Sequence, residues 1–255
     1  MELMLLVGYY NYLSVIFLIS CIWGISLNIQ MTYYGETNIG RIRENNEETF
    51  ISHTIWNDTH LLCTVIDGIG GNYEGDVAAE VTRDTIIRHL EDFPVWNLSE
   101  CLQQAAIKAN NNVVYYQRAI PKYRSMGCAI SLGILNIKDR LLHFVNIGGT
   151  RIYSLYNGQL RLLTQDDAQG RMVSNYIGKR PIMSNDVFCE AQEVQLKSDS
   201  TILFCSDGLW KMMEEKEILA ILSLPLSSKE ICNSLIGKAN ENGGTDTITA
   251  IVVKL

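Results

Sequence analysis

The chain of 255 residues lacks the cysteine and histidine spacings that bind soft metals. Its seven cysteines are irregularly spaced and form no CxxC pair, which excludes zinc ribbons and thioredoxin-like redox motifs. Most of them lie in apolar runs, which predicts buried, reduced thiols in a reducing compartment. The four histidines form no HxxxH pair, so we do not expect them to hold a metal.

The sequence also lacks a surplus of basic residues, low-complexity linkers and internal repeats. It carries 28 acidic against 21 basic residues, a net charge of −7, whereas nucleic-acid binders usually show a basic surplus. We therefore predict no nucleic-acid partner. One large domain or two small ones are expected at this length, and a core of this size needs no disulfide or metal in order to fold.

Charged residues are missing from positions 3–35, and residues 3–29 are mostly apolar. This stretch is long enough to cross a bilayer as a helix, which takes about 20 residues. It lacks the basic start and the cleavage site of a signal peptide. Arg41 and Arg43 follow it, which favours a cytoplasmic location for the rest of the chain. Two interpretations stay open: residues 1–30 are a membrane anchor, or translation starts at Met31. In both, residues 31–255 form the remaining domain.

Hydrophobic periodicity predicts strands and helices in separate blocks of this domain. Strands are expected at 31–36, 49–56, 61–66, 128–135, 141–147, 151–156, 159–163, 187–196, 201–205 and 248–253. Helices are expected at 75–90, 99–119, 214–222 and 228–241, and a loop at 164–186. Runs of strands separated by pairs of helices indicate an α+β layered sandwich.

Two apolar runs each end in an Asp-Gly pair, Asp67-Gly68 and Asp207-Gly208. A buried strand that ends in aspartate delivers a carboxylate to the rim of a sheet, and a following glycine lets the backbone approach a ligand closely. Hard cations such as Mg²⁺ and Mn²⁺ prefer such oxygen ligands. Further acidic residues stand near strands at Glu47-Glu48 and Asp246. A solvated charge pair or a capped turn explains each of these residues when it is taken alone.

In their order along the chain, these segments resemble the metal-dependent Ser/Thr protein phosphatases (PPM, type 2C), especially compact bacterial members. Residues 40–48 resemble G-x-x-R-x-x-N-E-D, residues 65–71 resemble V-x-D-G-x-G-G, and residues 126–129 stand where M-G-T-T is usual. Residues 146–153 resemble N-x-G-D-S-R-x-Y, residues 163–166 resemble L-T-x-D, residues 205–209 match C-S-D-G-L, and residues 242–249 resemble G-x-x-D-N-I-T. The resemblance covers residues 32–255.

The resemblance implies a four-layer αββα sandwich of two antiparallel sheets flanked by helix pairs. It implies hydrolysis of phosphoserine and phosphothreonine in proteins by a water that bridges two Mn²⁺ or Mg²⁺ ions. Asp67 would bridge both ions, and Arg43 would bind the substrate phosphate. The other implied metal ligands are Glu47 and the Gly68 carbonyl for one ion, and Asp207 and Asp246 for the other. Phosphorylated proteins are the implied partners, with a Ser/Thr kinase and its targets suggested by analogy.

The chain departs from this family pattern at three positions near the implied ligands. Glu48 stands in place of Asp and Thr247 in place of Asn, and both would lie behind the metal ligands. Gly149 replaces the Asp that supports a third, weaker metal in the family, so we expect a third site to be weak or absent. These departures keep a second interpretation open, a non-catalytic binding or regulatory module with the same fold. A third interpretation, a membrane-anchored receptor or regulator, rests on residues 3–29.

Overall fold

The structure is a computed structural model that describes residues 31–69, 74–91, 97–169, 172–183 and 186–255. The anchor predicted at residues 3–29 and the motif glycines Gly70 and Gly71 lie outside these described residues. Within the described ranges, no helix has the length and apolar character that crossing a membrane requires.

The described chain forms strands and helices in alternating blocks. The strands are β1 (Thr32–Asn38), β2 (Glu48–Ile55), β3 (His60–Ile69), β4 (Gly127–Asn136), β5 (Leu141–Ile147), β6 (Arg151–Tyr156), β7 (Gln159–Leu162), β8 (Ala168–Gln169), β9 (Met172–Val173), β10 (Gln192–Gln195), β11 (Thr201–Cys205) and β12 (Ile248–Lys254). The helices are α1 (Gly75–Glu91), α2 (Leu98–Ala119), α3 (Asp207–Trp210), α4 (Glu215–Leu222) and α5 (Ser228–Glu241), with a 3-10 turn at Pro121–Tyr123.

Ten of these strands form two antiparallel sheets. The first sheet has the order β1-β12-β11-β6-β7, and the second has the order β10-β5-β4-β3-β2. Helices α1 and α2 pack on the second sheet, while α4 and α5 pack on the first. The predicted α+β class and its four-layer arrangement are therefore confirmed.

Apolar runs without polar alternation mark the central strands because both of their faces are covered. In β3, Leu62 and Ile66 face helices α1 and α2, whereas Leu61, Cys63 and Val65 face the other sheet. Each fully buried aliphatic side chain contributes about 1.5–3 kcal/mol by leaving water. This burial on both faces fixes the strand register, because a slip of one residue would exchange the two faces.

The cysteines in the described residues are free, as predicted. Five of them are buried and Cys189 is half-buried. Burial raises the pKa of the Cys128 thiol to about 12, so this thiol stays protonated and behaves as a small apolar side chain.

The strand predicted at 187–196 is too long. Only Gln192–Gln195 forms a strand, paired with β5. The preceding carbonyls are bound by side chains instead: Gln103 Nε2 donates to the Cys189 carbonyl over 3.0 Å, and Asn175 Nδ2 donates to the Phe188 carbonyl over 3.3 Å. The loop predicted at 164–186 also contains the short β8–β9 hairpin.

Candidate metal centre

Glu48 and Asp67 stand opposite each other on two neighbouring strands of the second sheet. The register of β2 and β3 pairs these two residues directly, so their side chains lie on the same face. Strand alternation puts Asp67 on the face of Leu61 and Val65, which points toward the other sheet. The predicted end of this strand at residue 66 is too early, because β3 continues to Ile69. Asp67 is therefore a strand residue at the open end of the inter-sheet core.

The first sheet delivers Asp207 and Asp246 to the same end of the sandwich. Asp207 opens the short helix α3 directly after β11, and Asp246 lies just before β12. Ser206 holds these two segments together, since its backbone N–H donates to the Thr249 carbonyl over 3.0 Å and its Oγ accepts from the Thr249 N–H over 2.9 Å. Asp207 lies two residues beyond the strand, as the first residue of a helix that the sequence analysis did not predict.

A cavity of about 220 Å³ opens where these segments meet. Most of the site residues predicted from the sequence line it, namely Arg43, Glu47, Asp67, Gly68, Asp207, Asp246 and Thr247. Glu48 lies behind this wall and is only 6% exposed. One carboxylate oxygen from each of Glu48, Asp67 and Asp207 lies within 4.8 Å of the other two. The structure thus brings residues from four distant segments to one cavity.

The glycine of each Asp-Gly pair makes room for another backbone segment. A Cβ atom on Gly68 would collide with the carbonyls of Glu47 and Gly75. A Cβ atom on Gly208 would collide with the Thr247 carbonyl. These close approaches bring Glu47 beside Asp67 and Asp246 beside Asp207, so both glycines determine the shape of the cavity.

Burial strongly disfavours ionisation of the two inner carboxylates. The pKa of Asp67 is raised well above its usual value by burial, and the charges of Glu48, Asp207 and Asp246 raise it further. Burial raises the pKa of Glu48 to about 7, although the hydroxyls of Thr249, Ser206 and Thr247 act in the opposite direction. Neither carboxylate oxygen of Glu48 has a hydrogen-bond partner of normal geometry among the described residues.

These residues fit a hard divalent cation. Carboxylates that converge in this way repel one another unless a cation lies between them, and both oxygens of the buried Glu48 lack a hydrogen-bond partner among the described residues. Their donors are all oxygens, the ligand type that Mg²⁺ and Mn²⁺ prefer.

Glu47 lies at the start of helix α1, where the Gly75 N–H donates a hydrogen bond to its carboxylate. Burial raises the pKa of Glu47, whereas the charge of Arg43 and this hydrogen bond lower the pKa.

Two side-chain cations face the carboxylates. Arg43 contacts Asp246 through Nε and Nη2, and Lys211 Nζ lies 2.6 Å from Oδ2 of Asp207. The sequence analysis missed Lys211. Its spacing of four residues from Asp207 is typical of a helical ion pair, but helix α3 has only four residues and shows no periodicity from which to predict a helix.

An arginine–tryptophan stack holds the segment that contains Gly149 against helix α3. Trp210 Nε1 donates to the Gly149 carbonyl over 2.9 Å, and the Arg151 guanidinium lies 3.5 Å from the centre of the Trp210 ring. Arg151 also binds both oxygens of Asp166, at 3.0 and 2.7 Å. The motif residues Arg151 and Asp166 therefore fix the wall of the cavity.

A buried amide anchors the segment 174–183, which we call the flap segment, to helix α2. Asn110 Oδ1 accepts from the Gly178 N–H over 2.8 Å, and its Nδ2 donates to the Arg180 carbonyl over 2.8 Å. Asn111 makes the same pair of contacts with the backbone N–H and carbonyl of Ile182. The sequence analysis did not identify either asparagine.

The fold and the site together define a β-sandwich with an acidic cavity at its rim, whose oxygen donors fit divalent cations. A profile of the protein phosphatase 2C family matches residues 44–239, which is most of the chain. The chain belongs to the protein phosphatase 2C family.

Known relatives agree with this assignment. The serine/threonine phosphatase stp of Listeria monocytogenes is 28% identical over 244 residues, which cover 86% of this chain and 93% of that protein. The Mycobacterium tuberculosis serine/threonine phosphatase PstP/Ppp has a solved structure with a TM-score of 0.74 and 25% identity, covering 88% of this chain and 98% of that one. The catalytic domain of PstP, solved in complex with two manganese ions, has a TM-score of 0.76 and 24% identity, covering 88% and 97%. The predicted family and enzyme class are confirmed.

Proposed function

We propose that this protein hydrolyses phosphoserine and phosphothreonine in protein substrates with the help of two divalent cations, Mn²⁺ or Mg²⁺. The observation that carries the proposal is the gathering of four cavity-lining carboxylates and one arginine around a single cavity of about 220 Å³. The relatives named serine/threonine phosphatase and the PstP structure with two manganese ions support it.

Each site residue has a proposed role in this reaction. Asp67 would help to hold both cations. Glu47 and the Gly68 carbonyl would hold one cation, and Asp207 and Asp246 would hold the other. The cations supply charge neutralisation and an activated water as nucleophile.

The remaining side chains orient the substrate and the ligands. The guanidinium of Arg43 lines the cavity and contacts both carboxylate oxygens of Asp246 through Nε and Nη2. Its planar set of donors also suits the oxygens of a phosphate group. Glu48 supports the ligands from behind. Thr247 lines the cavity itself and supports Asp246, because its backbone N–H donates to Oδ1 of Asp246 over 2.9 Å. With Gly149 offering no ligand, a third metal site is weak or absent.

The finer organisation of the protein is part of the proposal. Residues 31–255 make up the catalytic domain, and residues 1–30 either anchor it to a membrane or precede the true start. The domain acts in the cytoplasm on phosphoproteins, which include a Ser/Thr kinase and its targets. Free, buried cysteines, as expected in a reducing compartment, support this location.

Hydrolysis of phosphopeptides by the full-length chain tests the proposed function. Phosphoserine, phosphothreonine and phosphotyrosine peptides of one sequence are compared at increasing Mn²⁺ concentration. We expect Mn²⁺-dependent turnover of the first two and little of the third. No turnover above that of an Asp207→Ala variant would contradict an enzymatic role and favour a binding module.

A further inference from the structure

Lys211 brings a positive charge to the carboxylate cluster. Its Nζ lies 2.6 Å from Oδ2 of Asp207, while its side chain stays 55% exposed. One carboxylate oxygen of Asp207 lies within 4.8 Å of an oxygen of Asp67 and of Glu48. The ammonium of Lys211 therefore lies close to the proposed metal ligands.

Gly149 lines the same cavity as Asp207 but has no side-chain oxygen that could bind a metal ion. Gly149 has no side chain, and apart from its chain neighbours no atom of the described residues lies within 4 Å of the position that a Cβ would take. Its carbonyl already accepts a hydrogen bond from Trp210, the residue just before Lys211. Gly149 therefore adds no side-chain oxygen to the cavity that it shares with Asp207, whose own carboxylate is paired with the Lys211 ammonium.

The ammonium of Lys211 changes the formal charge of a two-cation centre. The five acidic groups Glu47, Glu48, Asp67, Asp207 and Asp246 face Arg43 and Lys211. With all groups ionised, two divalent cations bring the total to one positive charge. Without Lys211 the total would be zero. The lysine thus raises the formal charge of the two-cation centre from zero to plus one, which favours the approach of a phosphomonoester dianion.

We propose that Lys211 is a built-in cation that takes the place of an additional divalent ion beside Asp207. It limits the centre to two ions and supplies the positive charge that attracts the phosphate. This inference deepens the proposed function and rests on it. Two consequences follow: the lysine competes with metal for Asp207, and extra divalent cation can compensate for its loss.

The test uses the full-length chain with Lys211→Gln, Lys211→Arg and the control Lys216→Gln. Lys216 also pairs with an acidic residue, Glu214, but it is exposed on helix α4 and outside the cavity. Calorimetric titration with Mn²⁺ alone gives the number and affinity of the ions. Phosphopeptide kinetics across Mn²⁺ concentrations and inhibition by inorganic phosphate give the functional effect.

For the native chain and for Lys216→Gln we expect two bound Mn²⁺ ions. Lys211→Gln should bind Mn²⁺ more tightly and accept a further, weaker ion, because a competing positive charge has been removed. At low Mn²⁺ its kcat/KM should fall about tenfold, the loss of one charge-assisted contact. Its inhibition by phosphate should weaken in parallel, and higher Mn²⁺ should restore both. Lys211→Arg should behave as the native chain does.

Equal Mn²⁺ stoichiometry and affinity in the native chain and Lys211→Gln would overturn this inference, as would an activity loss that added Mn²⁺ does not restore. Three ions in the native chain would overturn it as well. If the native chain shows no turnover, the proposed function fails. The Mn²⁺ titration then still decides whether Lys211 competes for the centre.

Discussion

Arg43 and Asp246 meet through two parallel contacts although 203 residues separate them in the chain. Arg43 Nε lies 2.8 Å from Oδ1 of Asp246, and Arg43 Nη2 lies 2.8 Å from Oδ2. The hydrogen bond to Asp246 raises the pKa of the guanidinium above its usual value. In the proposed function, Arg43 binds the substrate phosphate and Asp246 binds a cation. Metal binding and phosphate binding are therefore linked through this pair.

Replacing Arg43 by Gln should have opposite effects on the two ligands. The phosphate loses a bidentate, charge-assisted partner, so KM for a phosphopeptide should rise about 10- to 100-fold. The carboxylate of Asp246 loses its competing cation, so Mn²⁺ should bind more tightly. Steady-state kinetics and Mn²⁺ titration measure the two effects. Arg41→Gln, an exposed neighbour, is the control. Weaker Mn²⁺ binding in Arg43→Gln would contradict the linkage.

Asp67→Asn should strongly weaken metal binding while leaving the fold intact. The amide keeps one oxygen but loses the charge that attracts divalent cations, so Mn²⁺ affinity and kcat/KM should each fall by about 100-fold or more. The metal-free protein should unfold at the same or a higher temperature, because a buried group with a raised pKa no longer has to ionise. Calorimetry, kinetics and thermal melts provide the three readouts. Asp199→Asn on the exposed surface should change none of them, and near-native activity in Asp67→Asn would refute the assignment.

The metal-free protein should lose stability as the pH rises, and Glu48 should cause part of the loss. The folded-state pKa of this group is about 7, above that of an unfolded glutamate. Its contribution is therefore fully present below the unfolded pKa and is lost as pH rises through the folded pKa. In chelator at pH 8, Glu48→Gln should be more stable by on the order of 1–3 kcal/mol, or several degrees in Tm. At pH 5 the difference should shrink markedly.

The exposed residue Glu91 provides the matched control for this pH series. Glu91→Gln should follow the native Tm at every pH. Saturating Mn²⁺ at pH 8 should raise the Tm of the native chain more than that of Glu48→Gln, because the cation offsets the same buried charge. A Tm difference between Glu48→Gln and the native chain that does not vary with pH would contradict the raised pKa.

Asn110→Ala should loosen the flap segment without changing the chemistry. The substitution leaves the Gly178 N–H and the Arg180 carbonyl without their partner, which costs about 1–3 kcal/mol when such groups are buried. Trypsin cleavage after Lys179 should accelerate, while kcat for a small aryl phosphate stays near the native value. Mass spectrometry of timed digests measures the cleavage. Asn112→Ala, an exposed position on the same helix, is the control, and equal cleavage rates in the two variants would contradict an anchoring role.

The sequence was most informative where local pattern and fold agree. Asp67 and Asp207 follow apolar runs that are buried on both faces, so their position at a sheet rim could be predicted from hydrophobicity and turn chemistry. The convergence of Glu48 on Asp67 could not, because it depends on the register of β2 against β3. The number of residues between Glu48 and Asp67 does not reveal this register.

Two kinds of feature could not be predicted from the sequence: very short helices, and loops whose backbone groups are hydrogen-bonded by side chains. Helix α3 spans only Asp207–Trp210, which is too short to show a helical period. The sequence therefore did not predict that Trp210 and Lys211 lie beside the site. The segment 187–191 has strand-like composition, but side chains of Gln103 and Asn175 satisfy its carbonyls in place of a partner strand. Such tertiary contacts override local propensity.

Gly149→Asp should create a further cation site. Apart from its chain neighbours, no atom of the described residues lies within 4 Å of a Cβ added at this position, so the side chain would enter the cavity that Asp207 also lines without a clash. On its own, the new carboxylate should bind an additional Mn²⁺ only weakly, because the Lys211 ammonium paired with Asp207 repels a further cation. Combined with Lys211→Gln, it should bind the extra ion about tenfold more tightly, since one positive charge near the site is worth on the order of 1–2 kcal/mol. Mn²⁺ titrations that are identical for the native chain, the single variant and the double variant would show that this wall of the cavity does not hold a cation.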